Sequence, residues 1–254
     1  MTTLAVERAA GRARCTVVPG LLSPRVLSAN DAGARVALVA TGALLLGGDH
    51  VTIDVHVGAG ALLEVVETAG TVAFDAGGTE SSWSVRVTLE PDARLVWESL
   101  PFVVADGADV TRTTDVTLGE GARALLRETL VLGRTGERGG PVRSRTRATA
   151  AGTALLVETL DLLPGARTMP GIIGQARALD TVLALGWRPG GGAAAHGAGQ
   201  GAGQEAPHRA GQGAVHRLDL EGPGAIARRL DAAAHTSAGL DRVWRSWHTA
   251  FADS

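Results

Sequence analysis

Hydrophobic and polar residues alternate along most of this chain with a period of two. Val51, Ile53, Val55 and Val57 fall on one side of such a run, and Thr52, Asp54 and His56 on the other. Val85, Val87 and Leu89 repeat the pattern around Arg86 and Thr88. Successive side chains leave opposite faces of an extended chain, so each run predicts a half-buried β-strand. The runs are punctuated by Val57-Gly58-Ala59-Gly60-Ala61, Leu89-Glu90-Pro91-Asp92-Ala93 and Leu118-Gly119-Glu120-Gly121-Ala122. Gly supplies positive φ, Pro presets φ and Asp accepts local backbone bonds, so these are turns. Each unit reads as a strand, a tight turn and a returning strand, a β-hairpin used repeatedly.

After each turn comes an apolar run that ends in glutamate. Glu98, Glu128 and Glu158 recur at intervals of 30 residues. A fixed interval of this size is the mark of stacked supersecondary units sharing a core, with acidic groups expected at equivalent places. The expected fold is all-β: residues 1–188 form one continuous body of repeated β-hairpin units.

The alternation stops at 189. Residues 189–214 are a low-complexity Gly/Ala/Gln tract, expected to be a flexible insertion because it has too little apolar surface to offset ordering. Residues 215–254 are expected to complete the same domain, with a short strand over 214–220 and a helical region from Gly224 to about Ala252. Gly239 interrupts that region, so one or two helices are expected. Leu240, Val243, Trp244 and Trp247 share helical spacing. Trp244 and Trp247 are candidates for an exposed partner-binding face; the favoured alternative is a helix docked on the sheet.

Composition narrows the function. The chain has 24 basic and 26 acidic residues, a net charge of −2, which argues against nucleic-acid binding. Arg134, Arg138, Arg143, Arg145 and Arg147 cluster; they form either a local basic patch or, as we favour, one solvated strand face. Cys15 is the only cysteine, which excludes an intrachain disulfide and points to a reducing cytoplasm. Met1–Ala13 is too charged for a secretory signal, and the apolar stretch 36–46 is too short to span a bilayer, so no membrane partner is expected. No hydrolase, P-loop or dinucleotide signature occurs. His196, His208 and His216 flank the low-complexity tract without the preset geometry a metal site needs.

Carboxylates are the better candidates. Asp49 follows Leu46-Gly47-Gly48, where glycine permits close backbone approach. Glu137 closes the turn Gly133-Arg134-Thr135-Gly136-Glu137. Each carboxylate can accept turn amides or pair with an arginine such as Arg134. Several can also line a polar path through the body, where scattered oxygen ligands hand a divalent cation along.

Leu46-Gly47-Gly48-Asp49, Gly58-Ala59-Gly60-Ala61, Trp97-Glu98, Asp106-Gly107-Ala108, Gly133-Arg134-Thr135-Gly136-Glu137 and Leu155-Leu156-Val157-Glu158 occur in the order and spacing of urease accessory proteins of the UreD family, called UreH in some bacteria. The chain resembles that family over residues 12–188. The resemblance implies a non-catalytic scaffold bridging apo-urease to UreF and the GTPase UreG during nickel insertion. It implies a largely β-stranded, β-helical or barrel-like body, no tightly bound cofactor, and an internal tunnel that passes nickel transiently. On matching positions it implies Asp49, Thr71, Glu128 and Glu158 as tunnel residues, with Glu98, Glu137 and Arg134 as further candidates. Many members have a Lys-Phe-Tyr-like segment where this chain has Val72-Ala73-Phe74, and a Glu where it has Val96. Two other readings are a carbohydrate-active β-repeat enzyme and a metal-free protein-binding module. The former is disfavoured by an aromatic content of 3% with no Tyr.

Overall fold

Parallel β-pairing between successive turns of the chain organises the molecule. The computed structural model describes residues 1–169, 172–190, 213–232 and 238–253. The first strands are β1 (Thr2–Glu7), β2 (Arg14–Val18), β3 (Leu22–Ala29) and β4 (Gly33–Ala40). The repeating part holds β5 (His50–Val57), β6 (Leu62–Glu67), β7 (Thr71–Ala73), β8 (Ser81–Leu89), β9 (Arg94–Glu98), β10 (Phe102–Val104), β11 (Val110–Leu118) and β12 (Arg123–Leu132). It closes with β13 (Val142–Ala150), β14 (Thr153–Leu162), β15 (Ala178–Leu185), β16 (His216–Asp219), β17 (Gly224–Asp231) and helix α1 (Ala238–Ala252).

Two sheets face each other. The first runs β14-β13-β11-β8-β5-β1-β2 and the second β16-β17-β15-β12-β9-β6-β4-β3. Consecutive strands of a unit go to opposite sheets: β5 pairs in parallel with β8, and β6 with β9. The strands are as expected from the alternation and the β-helical architecture is one that the family resemblance implied, but the unit is a solenoid rung rather than a hairpin. A parallel partner is reached one rung later, after the chain has crossed to the other sheet and returned. The rung offset is 32 residues between β5 and β8 and 29 between β9 and β12.

The turns stack as the strands do. Ala61, Ala93 and Ala122 donate to the carbonyls of Gly58, Glu90 and Gly119, and Gly60 and Asp92 donate to the carbonyls of the next rung. All three alanines are buried, which explains their return after each turn. The residue before them has positive φ: Gly60, Asp92 and Gly121. At Gly121 a Cβ would lie 2.2 Å from the Asp92 carboxylate.

Odd-numbered residues of β5 and β8 and even-numbered residues of β11 and β12 point between the sheets into the main core. Arg143, Arg145 and Arg147 lie on the opposite, solvated side of β13, with Arg143 bonded to Asp109 at 2.8 Å. A second apolar cluster lies outside the second sheet. There Leu240, Val243, Trp244, Trp247 and Phe251 of α1 pack on Leu125, Val182, Ala184, Ala225 and Ala227. Trp244 and Trp247 therefore do not form an exposed partner face; Trp247 is 2% exposed. The five positions follow the i, i+3, i+4, i+7 spacing that turns one helix stripe inward.

The helical expectation for Gly224 onward is overturned at its start, since Gly224–Asp231 is strand β17 between β15 and β16. Its Ala and Arg residues favour helix intrinsically, but pairing on both edges and burial of Ala225, Ile226 and Ala227 override that preference. Helix α1 runs through Gly239 without a break. The Gly/Ala/Gln tract, with His196 and His208, lies outside the described residues apart from its ends.

An ion-pair cluster also ties α1 down. Arg127 donates to Asp180 at 2.8 Å, Asp241 at 2.6 Å and Glu98 at 3.0 Å. Burial would lower the pKa of Arg127; hydrogen bonds and charge from Asp180, then Asp241, outweigh it and raise the pKa. No helix among the described residues is long and apolar enough to cross a membrane.

Trp247→Ala should lower unfolding stability by about 3–5 kcal/mol, the range for emptying a buried aromatic site; a loss below about 1 kcal/mol in denaturant unfolding contradicts tight docking of α1. Arg127→Met should cost about 3–5 kcal/mol because Asp180 is left buried without a counter-charge. Adding Asp180→Leu to that variant should recover much of the loss, and a double-mutant cycle of stabilities checks the coupling.

Candidate functional site

The space between two apolar sheet faces should be hydrocarbon throughout, because an unpaired polar group costs free energy there. One seam breaks the rule. Glu67 ends β6, and the register that sets Val66 beside Glu98, and Glu98 beside Arg127, stacks Glu67, Ser99 and Glu128 on the inner side of the second sheet. Arg112 and Thr114 of β11 reach in from the first sheet, and Glu158 of β14 lies beside Thr146 of β13.

Their contacts differ in tightness. Arg112 is 7% exposed and donates to Glu128 at 3.5 Å. Its guanidinium lies 4.5 Å from the Phe102 ring centre, and its Nε has no hydrogen-bond partner among the described residues. Thr114 donates to the same Glu128 oxygen at 3.4 Å. Arg228 of β17 holds Glu158 through two bonds of 2.6 and 2.8 Å and reaches Thr181 at 3.2 Å. Glu67 accepts from Trp97 Nε1 at 3.1 Å and the Leu100 amide at 2.9 Å. Burial pushes the Glu67 pKa up, against the opposing bonds from Leu100, Trp97 and Ser99 and the charge of Arg112.

These side chains border three cavities in series. An outer one of about 240 Å³ is walled by Leu22, Leu38, Leu44, Phe74, Glu67, Thr71 and Trp83. Glu67, Thr71 and Trp83 also border a second of about 30 Å³, which ends at Arg112 and Glu128. Arg112 and Glu128 in turn border a third of about 20 Å³, with Thr146, Glu158, Thr181 and Arg228. A water-sized group needs about 10–15 Å³, so the inner two hold one or two such groups each. Polar groups thus continue from an apolar outer pocket to the Glu158–Arg228 pair.

Of the sequence candidates, Thr71, Glu128 and Glu158 border this series. Asp49 borders none of the three cavities: its carboxylate accepts the Leu46 amide at 3.0 Å and closes its own turn. Glu98 is half-exposed on the outer side of the second sheet with Arg127. Glu137 closes its turn, accepting from Arg134 Nε at 2.8 Å, the Arg134 amide at 3.0 Å and the Asp106 amide at 3.2 Å. The Arg134 side chain and amide, above all, lower the Glu137 pKa to about 2.

The interval of 30 residues misleads because the local rung is 29 residues. Glu98 pairs with Arg127, so Glu128 is one residue out of step and faces the other side. Glu158 lies in the first sheet, where β14 returns antiparallel to β13. Sequence reasoning did not reach Glu67, Arg112 and Arg228. Arg112 carried a signal: it sits at an inward position of an alternating run, Val110-Thr111-Arg112-Thr113-Thr114. No group of three or more His, Cys, Asp or Glu residues is placed to hold a metal ion among the described residues.

A raised acid pKa in the folded state favours the protonated form. Glu67 therefore contributes stability that is present below its ordinary value near 4.5 and is lost as pH rises through the folded value. Thermal unfolding across pH should show wild type losing stability relative to Glu67→Gln as pH rises from that value. A constant or opposite difference refutes the desolvated carboxylate.

Comparison with known proteins identifies the family. The family model described as UreD urease accessory protein matches residues 3–254. Urease accessory protein UreD 1 of Streptomyces griseus subsp. griseus is 46% identical over 253 residues, 98% of this chain and 91% of that protein. Urease accessory protein UreD of Streptomyces coelicolor is 40% identical over 159 residues, 59% of this chain and 62% of that protein. Urease accessory protein UreD 2 of Saccharopolyspora erythraea is 33% identical over 184 residues, 69% of this chain and 65% of that protein. A match over nearly its whole length means that this chain belongs to the UreD family of urease accessory proteins.

Proposed function

We propose that this protein is a non-catalytic maturation factor that bridges apo-urease to UreF and the GTPase UreG in the cytoplasm and passes nickel through its interior. The observation that carries the reading is the polar seam: carboxylates and hydroxyls bordering successive cavities inside a hydrophobic solenoid. Packing alone does not call for them, since apolar residues of similar volume often serve stability as well or better. Nickel is cargo here. Carboxylate and hydroxyl oxygens, few at each step, are weak ligands for a borderline divalent ion, which suits transfer over storage.

Arginine makes the passage conditional. Arg112 and Arg228 neutralise Glu128 and Glu158, and a cation at either carboxylate must displace its guanidinium. The Glu128 contact, at 3.5 Å beside open space, yields more easily than the bidentate Glu158 contact. In this reading, docking of a partner shifts β17 or its neighbours and frees Glu158. Membership of an accessory-protein family favours this reading over a carbohydrate-active enzyme.

The test is co-expression of the cognate urease and accessory proteins with wild type, with Glu128→Gln/Glu158→Gln, or without this chain. Omitting the chain should leave urease assembled, nickel-poor and inactive. The double variant should still co-purify with its partners, yet lower urease nickel content and activity by about tenfold or more, the scale of losing a charged ligand. Full nickel loading without this chain overturns the maturation role. Full loading with a complex-forming double variant leaves a metal-free scaffold and overturns the conduit.

A further inference from the structure

The turn Gly133-Arg134-Thr135-Gly136-Glu137 is not part of the seam. It forms one wall of a separate open cleft of about 540 Å³, walled otherwise by Arg138, Arg167, Thr168, Gln175 and Arg177. Three arginines thus border one space. None of the three has a carboxylate within ion-pair distance among the described residues. Glu137, the acidic group in the wall, is committed to Arg134. Asp106, whose charge also acts on Arg167, is committed to the amides of Arg138 and Gly139 at 2.9 and 2.6 Å.

The arginines are fixed rather than swinging freely. Arg177 donates through Nε and Nη2 to the carbonyls of Leu132, Gly133 and Arg134 at 2.9–3.2 Å. Arg167 is 7% exposed, and its Nη2 donates to the carbonyls of Arg138 and Gly139 at 2.6 and 3.0 Å. Its Nη1 is buried and has no hydrogen-bond partner among the described residues. Burial, above all, and then the charges of Arg177 and Arg138 lower the Arg167 pKa, against an opposing pull from Asp106. A buried guanidinium with an unused donor, facing two like charges, is unfavourable on its own. An anion in the cleft supplies the missing negative charge, and guanidinium forks match planar or tetrahedral oxyanions.

We propose that the cleft bounded by Arg138, Arg167 and Arg177 is a binding site for a small oxyanion, a phosphate or a carboxylate. It is distinct from the cation path and stands whether or not nickel passes through this protein. Arg177 and Arg167 form the preset floor, and exposed Arg138 closes over the ligand. Arginine carries each of the three positive charges, as recognition of oxygen pairs requires.

The experiment is isothermal titration of the full chain with inorganic phosphate and, separately, with malonate, at constant ionic strength maintained with chloride. Saturable one-to-one binding of either supports the site. Preference for phosphate assigns a phosphate-bearing ligand, and preference for malonate a carboxylate. Arg138→Met breaks no side-chain hydrogen bond among the described residues and should weaken binding by about tenfold, the scale of one charge-assisted contact. Arg167→Met should abolish binding; should that variant unfold, Arg138→Met alone decides. Failure of both anions to bind, or binding unchanged by Arg138→Met, overturns the proposal.

Discussion

In-register parallel pairing from rung to rung is the constraint on which the rest of this structure depends. Each backbone bond between β5 and β8, or β9 and β12, fixes which of two adjacent residues faces the interior. A slip of one residue would exchange the whole apolar face for the polar one. The stacked turns with their buried alanines hold that register at the rim of each rung, where strands alone would slide. Arg112 and Glu128 meet inside because β11 and β12 are pinned on both sides, not because their own attraction draws them there.

Much of this was legible in the chain. Alternation identified the strands, and the recurrent turn showed that one unit is repeated. The partner of each strand was not legible, because a hairpin and a solenoid rung share one local pattern and differ only in long-range pairing. A constant interval between glutamates therefore suggested equivalence where the true offset, 29 residues at that place, put Glu98 outside and Glu128 inside. Thr71, Glu128 and Glu158 nevertheless border the cavities. Asp49 and Glu137 were read as candidates for the polar path, yet both close turns. A carboxylate beside glycine serves a turn amide as naturally as a ligand. The Trp244–Trp247 stripe illustrates the same point for helices: spacing reports a buried face, and only the sheet beneath it shows what does the burying.

The two interiors of the protein treat charge differently. Outside the second sheet, Arg127 is gripped by Asp180 and Asp241 at 2.8 and 2.6 Å. Between the sheets, Arg112 touches Glu128 at 3.5 Å beside a cavity and keeps an unused Nε. Desolvation is similar in both places, but only the first arrangement returns short, multiple hydrogen bonds for it. The first is therefore suited to locking α1 onto the sheet. The second is a poor lock.

A poor lock inside a well-packed solenoid is informative, because the same chain shows that it can build a good one. Replacing Arg112 and Glu128 by apolar residues would close the small cavities and remove two desolvated charges, a change that stabilises many buried pairs by about 1–4 kcal/mol. The rung register supplies rigid walls, so the looseness is local to the side chains and their space. In the cation passage proposed above, loosely paired charge within rigid walls would let a cation exchange partners, with Arg112 and Arg228 holding the carboxylates until one arrives. The loose pair at the seam and the tight Arg127 cluster on the opposite side of β12 are then complementary, one strand carrying a weakly paired carboxylate on its inner face and a firmly held guanidinium on its outer face.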